Sequence, residues 1–213
     1  MVTLKDNETP HDYRIKLDQK EIQLFEKFNV KKILEVCSGD GRNLVGLKKL
    51  GFEVIGIENS QFIDKQLTEK ENIHVIVHPI FDQKFPFEIE TFDCVCSFQY
   101  LNHNYKDQIE CLFKEIFRVL KKGGVFSIKM SDMGQFNLKH VTDDIYEECD
   151  PEFPKIKFKK LAEQTYAKLE GDEINIPHYA FFKDELITSL ENVGFKLINI
   201  RTIKWNLVGN FLK

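Results

Sequence analysis

Apolar residues along this chain recur in two periods. Ile22, Phe25 and Phe28 share one stripe of a segment, 13–28, whose spacing predicts a helix. Segment 32–37 (KILEVC) is short and mainly apolar and reads as a buried strand. Helical spacing returns over 42–50, closed by Gly51, before a second strand at 53–57 (EVIGI). A helix over 61–69 with Ser60 as N-cap, a third strand over 72–80 and a fourth over 92–98 (FDCVCSF) follow. Ile109, Leu112, Phe113, Ile116 and Leu120 then fall at i, i+3, i+4, i+7 and i+11, which predicts an amphipathic helix ending at Gly123-Gly124. A fifth strand at 125–130, a helix at 182–193 stopped by Gly194, and two strands at 195–203 and 208–212 complete the pattern.

Strands alternating with helices of 10–15 residues imply βαβ units. Right-handed crossovers then put helices on both faces of a mainly parallel sheet. Ligands of such sheets bind at the carboxyl ends of the strands. Segment 131–180 breaks the rhythm with Pro151, Pro154 and Pro177, an acidic patch and the alternation Lys155-Ile-Lys-Phe-Lys-Lys160. It reads as an insertion over the strand ends between the fifth strand and the last helix, with a hairpin around 170–172. The lysine run reads as a solvated strand edge.

Composition narrows the picture. The chain has 213 residues, 42% of them apolar and 30% charged, and fits one globular domain over 1–213 carrying one insertion. No apolar run approaches a membrane span and the first ten residues are not a secretory leader. Five cysteines without a C-x-x-C argue against a disulfide framework or zinc ribbon and for a reduced, cytoplasmic compartment. Cys94 and Cys96, two apart on one strand face, are read as inert buried thiols, and no metal site is expected. A formal charge of −4, with 26 Lys but 4 Arg, argues against a large nucleic-acid footprint. The 19 Phe are in part ordinary core residues and in part candidates for lining a ligand pocket.

The first strand runs into Glu35-Val-Cys37-Ser-Gly39-Asp-Gly41-Arg-Asn43. A dinucleotide fingerprint G-x-G-x-x-G fails here, because its third position falls on Leu44 or Arg42, and a P-loop is absent. Glu58 ends the second strand 23 residues after Glu35, where a carboxylate can accept both hydroxyls of a ribose. Phe81-Asp82, Phe85-Pro86-Phe87 and Phe92-Asp93-Cys-Val follow, then Arg118-Val-Leu-Lys-Lys-Gly-Gly124 and a stretch from Asp184 to Gly194-Phe195.

This ordered set resembles the class I S-adenosylmethionine-dependent methyltransferases of the small-molecule type. The resemblance runs from about residue 31 to the C-terminus and covers the insertion poorly. It implies a Rossmann-like seven-stranded sheet, mostly parallel with the last strand antiparallel, and S-adenosyl-L-methionine as cofactor. Glu35 takes the acidic position of the family's glycine loop, Gly39 and Gly41 its second and third glycines, and Cys37 stands where the first glycine is usual. Glu58 would hold the adenosyl ribose, with Asn59 beside the adenine. Either Phe81 or Asp82 would meet the adenine, and Phe98 would wall the cofactor site.

Methyl transfer needs alignment more than acid–base help, so the lack of an obvious catalytic dyad is compatible with it. His103, at the rim after the fourth strand, is a candidate base, substrate contact or satisfied loop residue; His178 and Tyr179 face the site from the insertion. The N/D-P-P-Y/W tetrad of nucleobase-amine methyltransferases is replaced by Ser97-Phe98-Gln99-Tyr100. A small-molecule acceptor is expected in a lidded pocket built with Phe136, Tyr146, Phe153, Phe158, Tyr166 and Tyr179, without membrane or nucleic-acid partner, in a monomer or homodimer. The alternatives are an RNA or protein methyltransferase and a non-catalytic scaffold that keeps the fold.

Overall fold

The structure is a computed structural model and describes residues 19–59, 63–81, 83–98, 100–151, 155–170 and 173–213. Helix α1 (Gln19–Lys27) leads into β1 (Lys32–Val36), α2 (Arg42–Lys49), β2 (Glu53–Glu58), α3 (Lys65–Lys70), β3 (His74–Val77) and β4 (Phe92–Phe98). Helix α4 (Lys106–Val119) follows, then the long β5 (Leu120–Ser131). Helix α5 (Lys183–Val193) and the hairpin β11 (Lys196–Ile203) and β12 (Asn206–Leu212) close the chain. These strands form one seven-stranded sheet in the order β11-β12-β5-β4-β1-β2-β3. Neighbours from β5 to β3 are parallel, while β12 runs antiparallel to both β5 and β11. The expected architecture, with its antiparallel last strand, is therefore the observed one.

The central strands are apolar on both faces because both are covered. Val95 points to one side, into a core with Leu34, Phe113, Phe126, Phe181 and Phe195 under α4 and α5. Cys94, Cys96 and Phe98 point to the other, among Phe25, Ile33, Leu44 and Val125 under α1 and α2. The two thiols stand 3.7 Å apart and are fully buried.

Helix α4 ends earlier than its glycine pair. Leu120 is already extended (φ −70°, ψ 139°) and pairs with Phe92, so the strand ladder captures the chain at Val119. The expected start of the first helix before residue 19, and Ser60 as N-cap, lie outside the described residues.

The insertion is a second sheet. Strands β6 (Leu138–Thr142), β7 (Ile145–Glu148), β8 (Lys157–Ala162), β9 (Thr165–Lys168) and β10 (Pro177–Tyr179) run antiparallel in the order β10-β9-β8-β7-β6. The lysine run therefore lies on a central strand, not an edge: β8 pairs with β7 on one side and β9 on the other. Its alternation puts buried Phe158 on one face and exposed Lys157 and Lys159 on the other. Backbone bonds tie the second sheet down: Tyr179 N–H donates to Asn102 O at 2.7 Å and Met133 N–H to Phe181 O at 2.9 Å.

Candidate functional site

The loop after β1 is a tight left-handed turn. Cys37, Gly39 and Gly41 have φ of 57°, 56° and 85°. Glycine takes such angles freely, whereas cysteine is strained there. Gly39 also permits close approach, because a Cβ on it would stand 3.2 Å from two ring carbons of Tyr100. Glu35 lies behind the loop, 1% exposed, where its Oε1 accepts from Asn43 Nδ2 at 2.7 Å. It thus fastens the start of α2 to β1.

Glu58 is buried at the end of β2. Its Oε2 accepts the Gly39 N–H and its Oε1 the Asn59 N–H, both at 2.6 Å. Burial pushes its carboxyl above the ordinary glutamate value, against the pull of those two donors. Each carboxylate oxygen keeps a further lone pair for a ligand.

Two cavities open at the carboxyl ends of the parallel strands. The first, about 280 Å³, is bounded by Cys37, Glu58, Asn59, Ile80, Phe81, Tyr100, His103, Asn104 and Ile176. Five of the residues singled out in the sequence thus meet there: Cys37, Glu58, Asn59, Phe81 and His103. Asp82 lies outside the described residues. Phe98 does not wall this space: it is 1% exposed in the core under α1 and α2, because strand alternation turns it away, and Tyr100 forms the wall instead.

The second cavity, about 270 Å³, lies between the strand ends and the inner face of the five-stranded sheet. Phe136, Phe158, Tyr166 and Trp205 give it apolar walls, and Asn102, His103, Lys168, Glu173 and His178 give it polar ones. Tyr146 packs edge-on against Tyr166 with ring centroids 5.6 Å apart; Phe153 lies outside the described residues. Tyr100 and His103 border both cavities.

His103 and His178 come together, with ring centroids 4.5 Å apart. Glu173 lies between their Nε2 atoms, with Oε1 at 3.5 Å from His103 and Oε2 at 3.2 Å from His178. Lys168 Nζ donates to Oε2 at 2.8 Å. Burial works to raise the Glu173 carboxyl, but Lys168, His103 and His178 outweigh it and hold it down at about 2. Tyr179, also expected at the site, is instead a structural tie. It is 2% exposed and its hydroxyl donates to Glu185 Oε1 at 2.5 Å, itself held by Lys106 at 2.6 Å. Burial and the Glu185 charge push its hydroxyl far above the ordinary tyrosine value, so it is a poor proton donor to a substrate.

Tyr100, Asn102, Lys168, Glu173 and Trp205 are site residues that sequence reasoning missed. Tyr100 and Asn102 flank His103 in sequence, which is a usable signal. Nothing in the order of residues pairs Glu173 with His103, 70 positions earlier.

Residues 33–124 match a protein family described as a methyltransferase domain. Over that stretch the chain resembles methyltransferases. A protein of Geobacillus sp. (strain WCH70) assigned as a methyltransferase is 28% identical over 143 residues, covering 65% of this chain and 57% of that one. The sterol 24-C-methyltransferase of Schizosaccharomyces pombe is 30% identical over 164 residues, 77% of this chain and 36% of its own length. This chain thus spans between about a third and little more than half of these relatives. Among solved structures, the Burkholderia thailandensis 1,6-didemethyltoxoflavin-N1-methyltransferase, with its acceptor and S-adenosylhomocysteine bound, superposes with a TM-score of 0.61 at 15% identity, over 90% of this chain and 75% of that one. Among the described residues, no helix is long and apolar enough to cross a membrane.

Proposed function

We propose that this protein transfers the methyl group of S-adenosylmethionine to a small molecule held under the five-stranded sheet. The observation that carries this reading is the pair of adjoining cavities with Tyr100 and His103 as their common wall. Two reactants lodged in adjoining cavities that share lining residues are brought close together, and proximity with alignment is most of what this chemistry asks of a protein.

The first cavity fits the adenosyl half of the cofactor. Glu58 offers a buried carboxylate with spare lone pairs for a ribose diol, and Ile80 with Phe81 offers an apolar wall for a base. The turn at Gly39 and Gly41 lets a ligand reach main-chain N–H groups. When bound, the cofactor supplies a methyl group already activated on a sulfonium. The C–S bond breaks as the bond to the acceptor forms, and the electron pair stays on sulfur. The chain's own part is to bind, orient and exclude water.

The second cavity suits a small acceptor with a flat apolar body. Its volume of about 270 Å³ lies just below the roughly 300–1,000 Å³ of ligand pockets. Asn102, 5% exposed, has its Oδ1 without a hydrogen-bond partner among the described residues, and an acceptor that donates there would satisfy it. By their names, the sterol and toxoflavin-precursor methyltransferases act on small molecules, in keeping with this reading. The five free cysteines are in keeping with a reducing, cytoplasmic setting.

Thermal unfolding with S-adenosylmethionine or S-adenosylhomocysteine tests the cofactor half. A ligand at 100 times its dissociation constant stabilises by about 2.7 kcal/mol. A folded protein that shifts with neither ligand overturns the reading. Trp205, the chain's single tryptophan, lines the acceptor cavity, so its fluorescence reports acceptors directly in a metabolite screen.

A further inference from the structure

Three side chains converge where the two cavities meet. His103 comes from the turn after β4, Glu173 from the segment between β9 and β10, and His178 from β10. One nitrogen from each ring and one carboxylate oxygen lie within 4.8 Å of one another. Each of the three is partly buried, with the carboxylate between the rings.

The hydrogen bonds say which nitrogen faces the carboxylate and in what form. His178 Nδ1 lies 2.8 Å from Ile176 O. A carbonyl can only accept, so this bond assigns a proton to Nδ1. In the neutral ring the lone pair is then on Nε2, which faces Glu173 Oε2 at 3.2 Å. Glu173, held by Lys168, is also an acceptor there. Two lone pairs do not make a hydrogen bond, so a positive species belongs between them. A proton on His178 would serve that contact and leave only a long one, 3.5 Å, between His103 Nε2 and Oε1. Charging both rings would set two cations side by side at a centroid distance of 4.5 Å. A single metal ion serves all three groups at once.

We propose that His103, Glu173 and His178 form a binding site for one divalent first-row transition-metal ion, of the two-histidine, one-carboxylate type. The supporting bonds are those that metal sites use. The ring N–H of His178 goes to a backbone carbonyl, which fixes ring and tautomer, and the ligating carboxylate is itself held, here by Lys168. Two imidazoles and a carboxylate suit zinc, iron(II), cobalt or manganese rather than calcium or magnesium, which favour oxygen donors throughout. Three protein ligands leave positions open. All three residues line the acceptor cavity, so the open positions face the acceptor. The ion then selects acceptors with an oxygen, nitrogen or sulfur donor. It favours their deprotonated form, with the proton released to solvent. This role rests on the proposed acceptor site; ion binding itself does not, and is measured without cofactor or acceptor.

The test is titration of the full chain, stripped with a chelator, with Co²⁺ at neutral pH. The expected result is visible absorption of nitrogen-ligated cobalt, saturating at a single ion per chain and displaced by Zn²⁺. Glu173→Gln and His178→Asn, each checked for folding by circular dichroism, should weaken Co²⁺ by at least the roughly 10–100-fold that loss of a merely supporting bond costs. His140→Ala, on the exposed β6, should not. A second measurement needs no variant: Zn²⁺ should protect His103 and His178, but not His140, from diethyl pyrocarbonate. Absence of cobalt absorption, its persistence in both folded variants, or full reactivity of His103 and His178 under Zn²⁺ overturns the proposal and leaves the cluster as an ion pair.

Discussion

The backbone N–H of Gly39 donates to Glu58 Oε2 at 2.6 Å, so one buried carboxylate fastens the glycine loop to the end of β2 while it borders the first cavity. Replacing it therefore acts on ligand and loop together. Glu58→Ala removes a charged acceptor whose hydrogen bonds are each worth about 1.5–3 kcal/mol, so S-adenosylmethionine should bind tenfold or more weakly. Burial raises this carboxyl, so the folded chain holds the proton more tightly than the unfolded one. The charge that a ribose diol needs is thus lost at a pH above the ordinary glutamate value of about 4.3, and affinity falls on acidification from there. Calorimetric titration across the mildly acid range reads both effects. Equal affinity in Glu58→Ala and the unsubstituted protein would remove Glu58 from the site.

Cys37 takes a φ of 57° in the position where the methyltransferases that this sequence resembles usually have glycine. A left-handed non-glycine residue costs roughly 1–2 kcal/mol. In a regular element, glycine is less stable than alanine by about 0.5–1 kcal/mol. Here the order should reverse. Cys37→Gly and Cys37→Ala both lose the buried sulfur, but only the first relieves the backbone. The glycine variant should melt above the alanine variant by a few degrees, since about 1 kcal/mol is 2–4 °C in a chain of this size. An alanine variant that melts higher would show that the turn carries no such strain.

Tyr179 separates structural from catalytic roles. Its hydroxyl joins β10 to α5 through Glu185, on the side of α4 that carries Lys106. Tyr179→Phe leaves Glu185 without that donor, at a cost of about 1.5–3 kcal/mol in stability. The melting temperature should drop by several degrees while turnover per folded molecule stays the same. A variant of unchanged stability that cannot turn over would reverse the assignment.

The sheet was legible because its determinants are local. Mainly apolar segments such as KILEV and FDCVCSF read as strands covered on both faces, and the stripe from Ile109 to Ile116 as a helix packed on one. The first cavity was legible for the same reason: Cys37, Glu58, Asn59 and Phe81, which line it, each follow or end a strand that the pattern already defines. Phe98 misled because a strand's alternation decides which face a side chain takes, and position at a strand end says nothing about it. The acceptor side was hidden. Five short strands of mixed polarity in the insertion look like loop, and their pairing is set by contacts between distant segments. Tyr179 read as a pocket residue because its neighbour His178 is one; alternation along β10 turns one inward and the other against α5.

Gly39 and Tyr100 are coupled by contact. A Cβ on Gly39 would stand 3.2 Å from Cε2 and Cζ of the Tyr100 ring, tighter than ordinary packing, at a φ of 56°. Gly39→Ala therefore carries two separable costs. The backbone part, roughly 1–2 kcal/mol, is independent of the ring. The steric part vanishes when the ring is removed. In the Tyr100→Ala background Gly39→Ala should be less destabilising than in the unsubstituted protein, with a coupling within the 0.5–3 kcal/mol of contacting residues. Denaturant unfolding of the four proteins measures the cycle. A coupling of zero would mean that the ring swings clear at no cost, and that Tyr100 is not the fixed wall between the two cavities on which the alignment of cofactor and acceptor depends.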